Sequence, residues 1–247
     1  MIKKTRDLIQ AKELILNETK IQKKIINHFN TMIHTNVERI IPIEKKLIVL
    51  VDIVGFSKKN TYDQWRGLMI FQQYLRSTVL KSNLLRNVTV THFVPTGDGC
   101  YMLANECEPE LALEFVCSIV RGFQKVQPED EFPLSLRASA LIGQVMPIMD
   151  LAMHKNYIGE GMNEGSRVLS GGQKSLEEFY IQNYRKEHNK EPVNEDVKMF
   201  SRNSVFVDDS LSGYVQKFAE FGKLYVFKNV ADKHGKVRNI TVLQGIK

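Results

Sequence analysis

Two aspartates, Asp52 and Asp98, stand where an ionised carboxylate calls for an explanation. Asp52 follows Lys46-Leu47-Ile48-Val49-Leu50-Val51, whose continuous apolar run reads as a fully buried strand. A charge at its end is costly to bury without a partner or a metal ion. Asp98 sits in Gly97-Asp98-Gly99, where Asp-Gly is first of all hairpin-turn chemistry. Each has a plain structural account when taken singly, as a loop cap or a turn residue. Together, at one edge of a sheet, two carboxylates would bind Mg²⁺ or Mn²⁺, with substrate phosphates and water completing the octahedron. Between the first strand and the next helix, Ile53-Val54-Gly55-Phe56-Ser57 forms a turn whose glycine permits close backbone approach and whose N–H groups could hold phosphate oxygens. A third element is Asn163-Glu164-Gly165-Ser166-Arg167, where Asn and Arg stand four residues apart at a helix start and point from one face. Its structural account is an Asn N-cap and a solvated arginine. Its chemical account is an amide orienting a ribose and a guanidinium stabilising charge on a transferring phosphate.

The elements that must position these groups follow from hydrophobic periodicity. From about Asp7 to Ile33 the apolar residues Leu8, Ala11, Ile15, Ile21, Ile25, Phe29 and Ile33 recur mostly every four residues, an amphipathic helix that packs on its own domain or forms a dimer contact. We divide the chain into this extension, residues 1–42, and a main domain, residues 43–247. After the strand ending at Asp52, a helix is expected over Tyr62 to Leu80, then a strand near Val88 to Val94, the Pro95-Thr96-Gly97-Asp98-Gly99 turn and a strand Cys100 to Ala104. A helix from Pro109 to Lys125 leads to a strand over Leu134 to Gln144. This β-α-β-β-α-β order is ferredoxin-like, an α+β antiparallel sheet with helices on one face. Beyond it we expect a helix from Met162 interrupted near Gly171-Gly172, and a charged helical or mobile stretch from Glu177 to Lys198. Short strands are expected around Ser204 to Val207, Lys223 to Phe227 and Val237 to Leu243.

Composition narrows the setting. A hydrophobic fraction of 43% and a charged fraction of 25% are ordinary for a globular chain, and no apolar run approaches the roughly 20 residues that span a bilayer. The N-terminus carries no signal-peptide h-region, so a cytoplasmic protein without membrane insertion is expected. Cys100, Cys107 and Cys117 form neither a CxxC pair nor an even framework, and are expected reduced and packed. The net charge of +6 is spread among acidic residues with no basic run interleaved with aromatics, so nucleic acid is not expected as a partner. The same charge steers a polyanion such as a triphosphate.

The elements in this order and spacing resemble the class III adenylyl and guanylyl cyclase family. Asp52 to Ser57 looks like its first metal motif, Gly97-Asp98-Gly99 like its second, Leu136 to Val145 like its central strand, and Asn156 to Arg167 like its Gly-x-x-Asn-x-x-x-Arg segment. The resemblance spans about residues 46 to 245. It implies that Asp52, the Ile53 backbone and Asp98 hold two Mg²⁺ or Mn²⁺ ions, and that Gly55, Phe56 and Ser57 touch the triphosphate. It implies that Asn163 orients the ribose and Arg167 stabilises the transition state. It also implies a homodimer with composite sites, and a late triphosphate lysine for which Lys236 or Lys233 could serve. The reaction would be attack of the ribose 3′ hydroxyl on the α-phosphorus with loss of pyrophosphate.

Where the family's adenylyl cyclases carry a Lys and an Asp to read adenine, and its guanylyl cyclases a Glu and a Cys, this sequence has Val94 and Asn156. A pocket that hydrogen-bonds one base rejects another because buried polar groups are left unpaired. Val94 offers no polar group, and Asn156 offers both a donor and an acceptor that could face uracil or cytosine. His92 and Thr96 would share the face of Val94 if the strand alternates regularly. The departure resembles the pyrimidine cyclases of Pycsar antiphage systems, whose cyclic UMP or cyclic CMP activates a separate effector. UTP is placed ahead of CTP. The alternatives are a purine cyclase with an unusual base pocket and a catalytically silent cyclase-homology module. Against the second stands the presence of Asp52, Asp98, Asn163 and Arg167 together.

Overall fold

The computed structural model describes residues 20, 23, 24, 27, 42–85, 88–125, 134–150, 154–232 and 235–246. The chain divides into two compact units, Met1–Pro42 and Ile43–Lys247. In the first, Lys20, Lys23, Lys24 and Asn27 are helical, and the rest of the expected N-terminal helix lies outside the described residues.

The second unit is built on β1 (Glu44–Ile53), whose residues 47 to 53 are all buried, as its continuous apolar run predicts. Next come α1 (Thr61–Leu85), β2 (Val90–Pro95), β3 (Gly99–Asn105), α2 (Pro109–Lys125), β4 (Leu136–Met149), β5 (Lys155–Ile158) and α3 (Glu160–His188). The chain ends with α4 (Asn194–Phe200), β6 (Ser204–Val207), α5 (Asp209–Ser212), β7 (Lys223–Ala231) and β8 (Val237–Gln244). The strand order is β2-β3-β1-β4-β6-β8-β7, with β5 paired to β4. The β-α-β-β-α-β core is therefore present, and the later strands enlarge its sheet. Not every pair is antiparallel: β6 runs parallel to β4, with Ser139 opposite Phe206.

Helices cover both faces, not one. Leu47, Val49, Val51 and Ile53 of β1 point to the side where α1 and α2 pack, in one cluster with Phe71, Leu75, Leu113, Val116 and Phe123. The alternate residues Ile48 and Leu50 point to the other side, where α3 supplies Val168, Leu169 and Leu176. α2 has the apolar stripe expected of its position, with Pro109 at its first turn and Lys125 in its last.

α3 runs unbroken through Gly171-Gly172, where an interruption was expected. The reason is packing. A Cβ on Gly172 would lie 2.4 Å from the ring of Phe206 and 3.0 Å from Ile240, so the glycine is what lets the helix seat on the sheet. The charged stretch beyond it is helical, divided between α3 and α4; Asn189 closes α3 in the left-handed region at φ 51° after Arg185, Lys186 and His188.

Gly172→Ala should therefore lower stability by about 1–2 kcal/mol, because overpacking outweighs the helix propensity gained. Gly171→Ala, whose nearest neighbours are side-chain ends at 3.2 and 3.3 Å, should stay within about 0.5 kcal/mol of wild type. Thermal unfolding of the two variants side by side checks this; equal effects would reject the packing account.

Candidate active site

Asp52 is the penultimate residue of β1, opposite Gly99 of β3 on one side and Arg137 of β4 on the other. Alternation puts its side chain on the α3 face of the sheet, and it is only 7% exposed. The partner that such a charge requires is Arg137, whose Nε and Nη2 reach Asp52 Oδ2 at 2.6 and 2.5 Å. Arg137 escaped the sequence reading, although an arginine as the one charged residue in the run Leu134 to Ile142 was a signal for it.

Asp98 follows Gly97, whose φ of +94° only glycine adopts without strain, in the turn joining β2 to β3. The turn is tied to β1 directly, since the Ile53 N–H donates to the Asp98 carbonyl at 3.0 Å. The two carboxylates interact. Burial pushes the Asp52 carboxyl up, Arg137 pulls it down and Asp98 pushes it up again, leaving it at about 6. Asp52 and Asp98, with the Ile53 carbonyl, would offer an all-oxygen donor set of the kind hard divalent cations take. Among the described residues no group of three or more His, Cys, Asp and Glu gathers as a metal site. An ion at the Asp52–Asp98 edge would thus draw its other ligands from phosphate and water.

Past β1, Gly55 turns the chain at φ 73° into a short 3-10 segment, Phe56–Lys58. The carbonyls of Gly55 and Phe56 accept from the Lys58 and Lys59 N–H groups at 3.2 and 3.1 Å. Among the described residues, the N–H groups of Gly55, Phe56 and Ser57 enter none of the backbone hydrogen bonds of this turn.

Asn163 and Arg167 lie on α3. Asn163 is not the N-cap: Gly159 holds that position, and the Asn163 N–H donates to its carbonyl at 3.4 Å, which leaves the exposed amide side chain clear of capping. Arg167 is not a solvated arginine either. Its Nη1 meets Glu164 at 3.0 Å and its Nε meets Asp232 at 3.3 Å. Lys236 joins them, its Nζ lying 2.8 Å from Glu164 Oε1 and 2.8 Å from Glu160. The late lysine and the α3 arginine, 69 residues apart in sequence, thus converge on a single carboxylate oxygen. Lys233 lies outside the described residues. Glu164 and Asp232 were missed as partners, because only the β7–β8 hairpin brings Asp232 to α3.

Of the residues singled out for base reading, Asn156 lies on β5 and His92 packs against that strand. Tyr157 packs edge-on against His92 at 5.2 Å and lies under Lys155 at 5.2 Å. Burial and the Lys155 charge hold the His92 imidazole below its usual pKa. Val94 faces Tyr101 across the β2–β3 pair, and the Tyr101 hydroxyl donates to the Met162 carbonyl at 2.9 Å, next to Asn163. Asn156 is half-buried on β5, and its Oδ1 accepts the Tyr157 N–H at 2.7 Å. Thr96 is displaced from this group: β2 ends at Pro95, and Thr96 belongs to the turn, its N–H donating to Gly99. Strand alternation does not carry that far.

No family model and no curated protein matches the chain. Solved structures do. The guanylate cyclase domain of RhGC from Catenaria anguillulae, in complex with GTP, superposes with a TM-score of 0.52 at 17% identity, covering 83% of this chain and 98% of that one. The catalytic core of a rhodopsin-guanylyl cyclase with converted specificity, in complex with ATPαS, gives 0.52 at 15% identity over the same shares, 83% and 98%. At such identities the likeness is one of fold, and the fold is that of a class III cyclase catalytic domain. No helix among the described residues is long and apolar enough to cross a membrane.

Because a protonated Asp52 cannot serve as a metal ligand, Mn²⁺ affinity should fall about tenfold per pH unit below about pH 6 and level off above it. Arg137→Gln removes the charge that pulls Asp52 down, so the break in that profile should move to higher pH. Calorimetric Mn²⁺ titrations between pH 5 and 8 read both effects, and a profile that is flat through pH 6 would contradict them.

Proposed function

We propose that the protein is a divalent-metal-dependent nucleotidyl cyclase that converts a pyrimidine nucleoside triphosphate, UTP ahead of CTP, to its 3′,5′-cyclic nucleotide and pyrophosphate. The observation that carries the reading is the convergence of Asp52 and Asp98 at the end of β1 within a cyclase catalytic-domain fold. Two magnesium or manganese ions held by Asp52, Asp98 and the Ile53 carbonyl would acidify the ribose 3′ hydroxyl and neutralise the phosphate oxygens. The N–H groups of Gly55, Phe56 and Ser57, with Lys236, bind the triphosphate. Arg137 adds positive charge at the same edge and keeps the Asp52 carboxylate compensated. Asn163 orients the ribose, and the Arg167 guanidinium takes up charge that develops on the α-phosphoryl oxygens as the 3′ oxygen attacks and pyrophosphate leaves.

The two halves of this machinery belong to separate ion-pair groups, Asp52 with Arg137 and Arg167 with Glu164 and Asp232. A homodimer in which one protomer presents the metal edge and its partner presents Asn163 and Arg167 would unite them in two composite sites.

Asn156 supports UTP over CTP. Its Oδ1 is engaged by the Tyr157 N–H, which leaves the amide Nδ2 as a donor to a ligand. A donor complements the O4 carbonyl of uracil and opposes the N4 amino group of cytosine. Guanine also offers a carbonyl, but where uracil has its O2 acceptor guanine has an N2 amino donor, for which the Val94 side chain holds no acceptor. The cyclic nucleotide would be a cytoplasmic second messenger that switches a separate antiphage effector.

Incubation of the purified protein with each of the four NTPs and Mn²⁺ should give cyclic UMP as the main product; cyclic AMP or cyclic GMP alone would reject the pyrimidine reading. Asn156→Asp replaces the donor with acceptors and should shift the UTP/CTP ratio of kcat/KM towards CTP by about tenfold or more. Asp52→Ala should abolish turnover. Mixing Asp52→Ala with Arg167→Ala should restore about a quarter of wild-type activity, since about half of the dimers are then mixed and each holds one intact site. No recovery on mixing would dismiss the shared site.

A further inference from the structure

Arginine on a helix surface samples several rotamers, and a guanidinium that must meet charge developing on a phosphoryl group gains rate from being held beforehand. Arg167 is held. Glu164, one turn before it on α3, accepts its Nη1, and Asp232 at the end of β7 accepts its Nε. Those two contacts hold the guanidinium by its Nη1 and Nε, on a side chain that is 28% exposed. Glu164 does more than this, since its Oε1 also receives Lys236 at 2.8 Å and its Oε2 receives Arg238 Nη2 at 3.1 Å.

Arg238 is the buried member that fixes the geometry. It is 8% exposed and bridges both carboxylates through one nitrogen, Nη2, which lies 3.0 Å from Asp232 Oδ2. Asp232 Oδ1 in turn accepts the Lys236 N–H at 3.0 Å, so the backbone that carries the lysine is set by the same residue. Three cations, Arg167, Lys236 and Arg238, share two nearly buried carboxylates, and the exposed Glu160 makes a further contact with Lys236. Burial alone would raise the Glu164 carboxyl, but Lys236, Arg238 and Arg167 together bring it below its ordinary value. It stays ionised through the neutral range.

We propose that Glu164, with Asp232 beside it, is a positioning residue for nucleotide cyclisation: it sets the Arg167 guanidinium and the Lys236 ammonium at a fixed separation, so that both meet one triphosphate without reorganising. The proposal rests on the cyclase reading given above. Glu164 acts through the two cations and does not touch substrate. Glu160, which also reaches Lys236, is 72% exposed and contacts no arginine of the cluster, so it lacks this role.

The test is steady-state kinetics with Mn²⁺ and the preferred NTP on wild type, Glu164→Gln, Asp232→Asn and Glu160→Gln, with thermal unfolding of each. Glu164→Gln should lose kcat at least tenfold with KM changed less than threefold and its melting temperature close to wild type. Asp232→Asn should show the same split, and it stands in should Glu164→Gln fail to fold. Glu160→Gln should keep kcat within twofold. A Glu164→Gln enzyme with wild-type kcat, or one in which only KM rises, overturns the positioning role while leaving the cyclase reading intact. A well-folded wild type that cyclises none of the four NTPs overturns the cyclase reading, and this proposal with it.

Discussion

A carboxylate buried at the end of the central strand is the constraint on which the remaining architecture turns. Asp52 is almost fully covered, and it stays charged only to the extent that Arg137 stands against it. That contact depends on register. Asp52 faces Arg137 because β1 and β4 pair along ten positions from Glu44↔Val145 to Ile53↔Leu136, and a slip of one residue would turn Asp52 into the α1–α2 core. The apolar side chains of Leu47 to Val51 hold the register from both faces of the sheet. The strand that reads as most ordinary in composition is therefore what aims this buried charge.

The same register fixes the opposite half of the site. Two residues before Arg137's neighbour on β1, Leu50 stands opposite Ser139, and the Ser139 hydroxyl donates to the Gly165 carbonyl of α3 at 2.7 Å. α3 can lie that close because Gly161, Gly165 and Gly172 face the sheet. At Gly161 a Cβ would come within 2.9 Å of the Gln144 carbonyl, a backbone atom that cannot step aside. Asn163 and Arg167 sit between these contact points, so their placement follows from where the helix has no side chains. Tyr101 adds a second tie, from β3 to Met162.

Local pattern made much of this legible. The apolar run of β1, the amphipathic stripe of Pro109 to Lys125, and the Gly-Asp-Gly turn each announce their element from a few neighbouring residues, and α2 spans the expected residues. Gly171-Gly172 misled, because propensity treats paired glycines as a break and cannot see Phe206 and Ile240 across the interface. Helices on both faces were missed for a related reason: the β-α-β-β-α-β order fixes strand neighbours, whereas α3 comes after that core and chooses the free face. Arg137 and Asp232 were not legible as site residues. Their partners are 85 and 65 residues away, and only sheet register and the β7–β8 hairpin bring them close.

On the reading proposed above, residue type alone leaves the choice between two pyrimidines open. An asparagine offers a donor and an acceptor in equal measure, so Asn156 by itself is compatible with uracil and cytosine alike. What separates them is a local bond: a backbone N–H can only donate, so the Asn156 atom that meets the Tyr157 N–H must be the oxygen, and the nitrogen is what remains. Tyr157 is itself set by His92 and Lys155. On the reading proposed above, preference between two pyrimidines is then carried less by the identity of the asparagine than by the backbone N–H that follows it, which leaves the amide one way to turn.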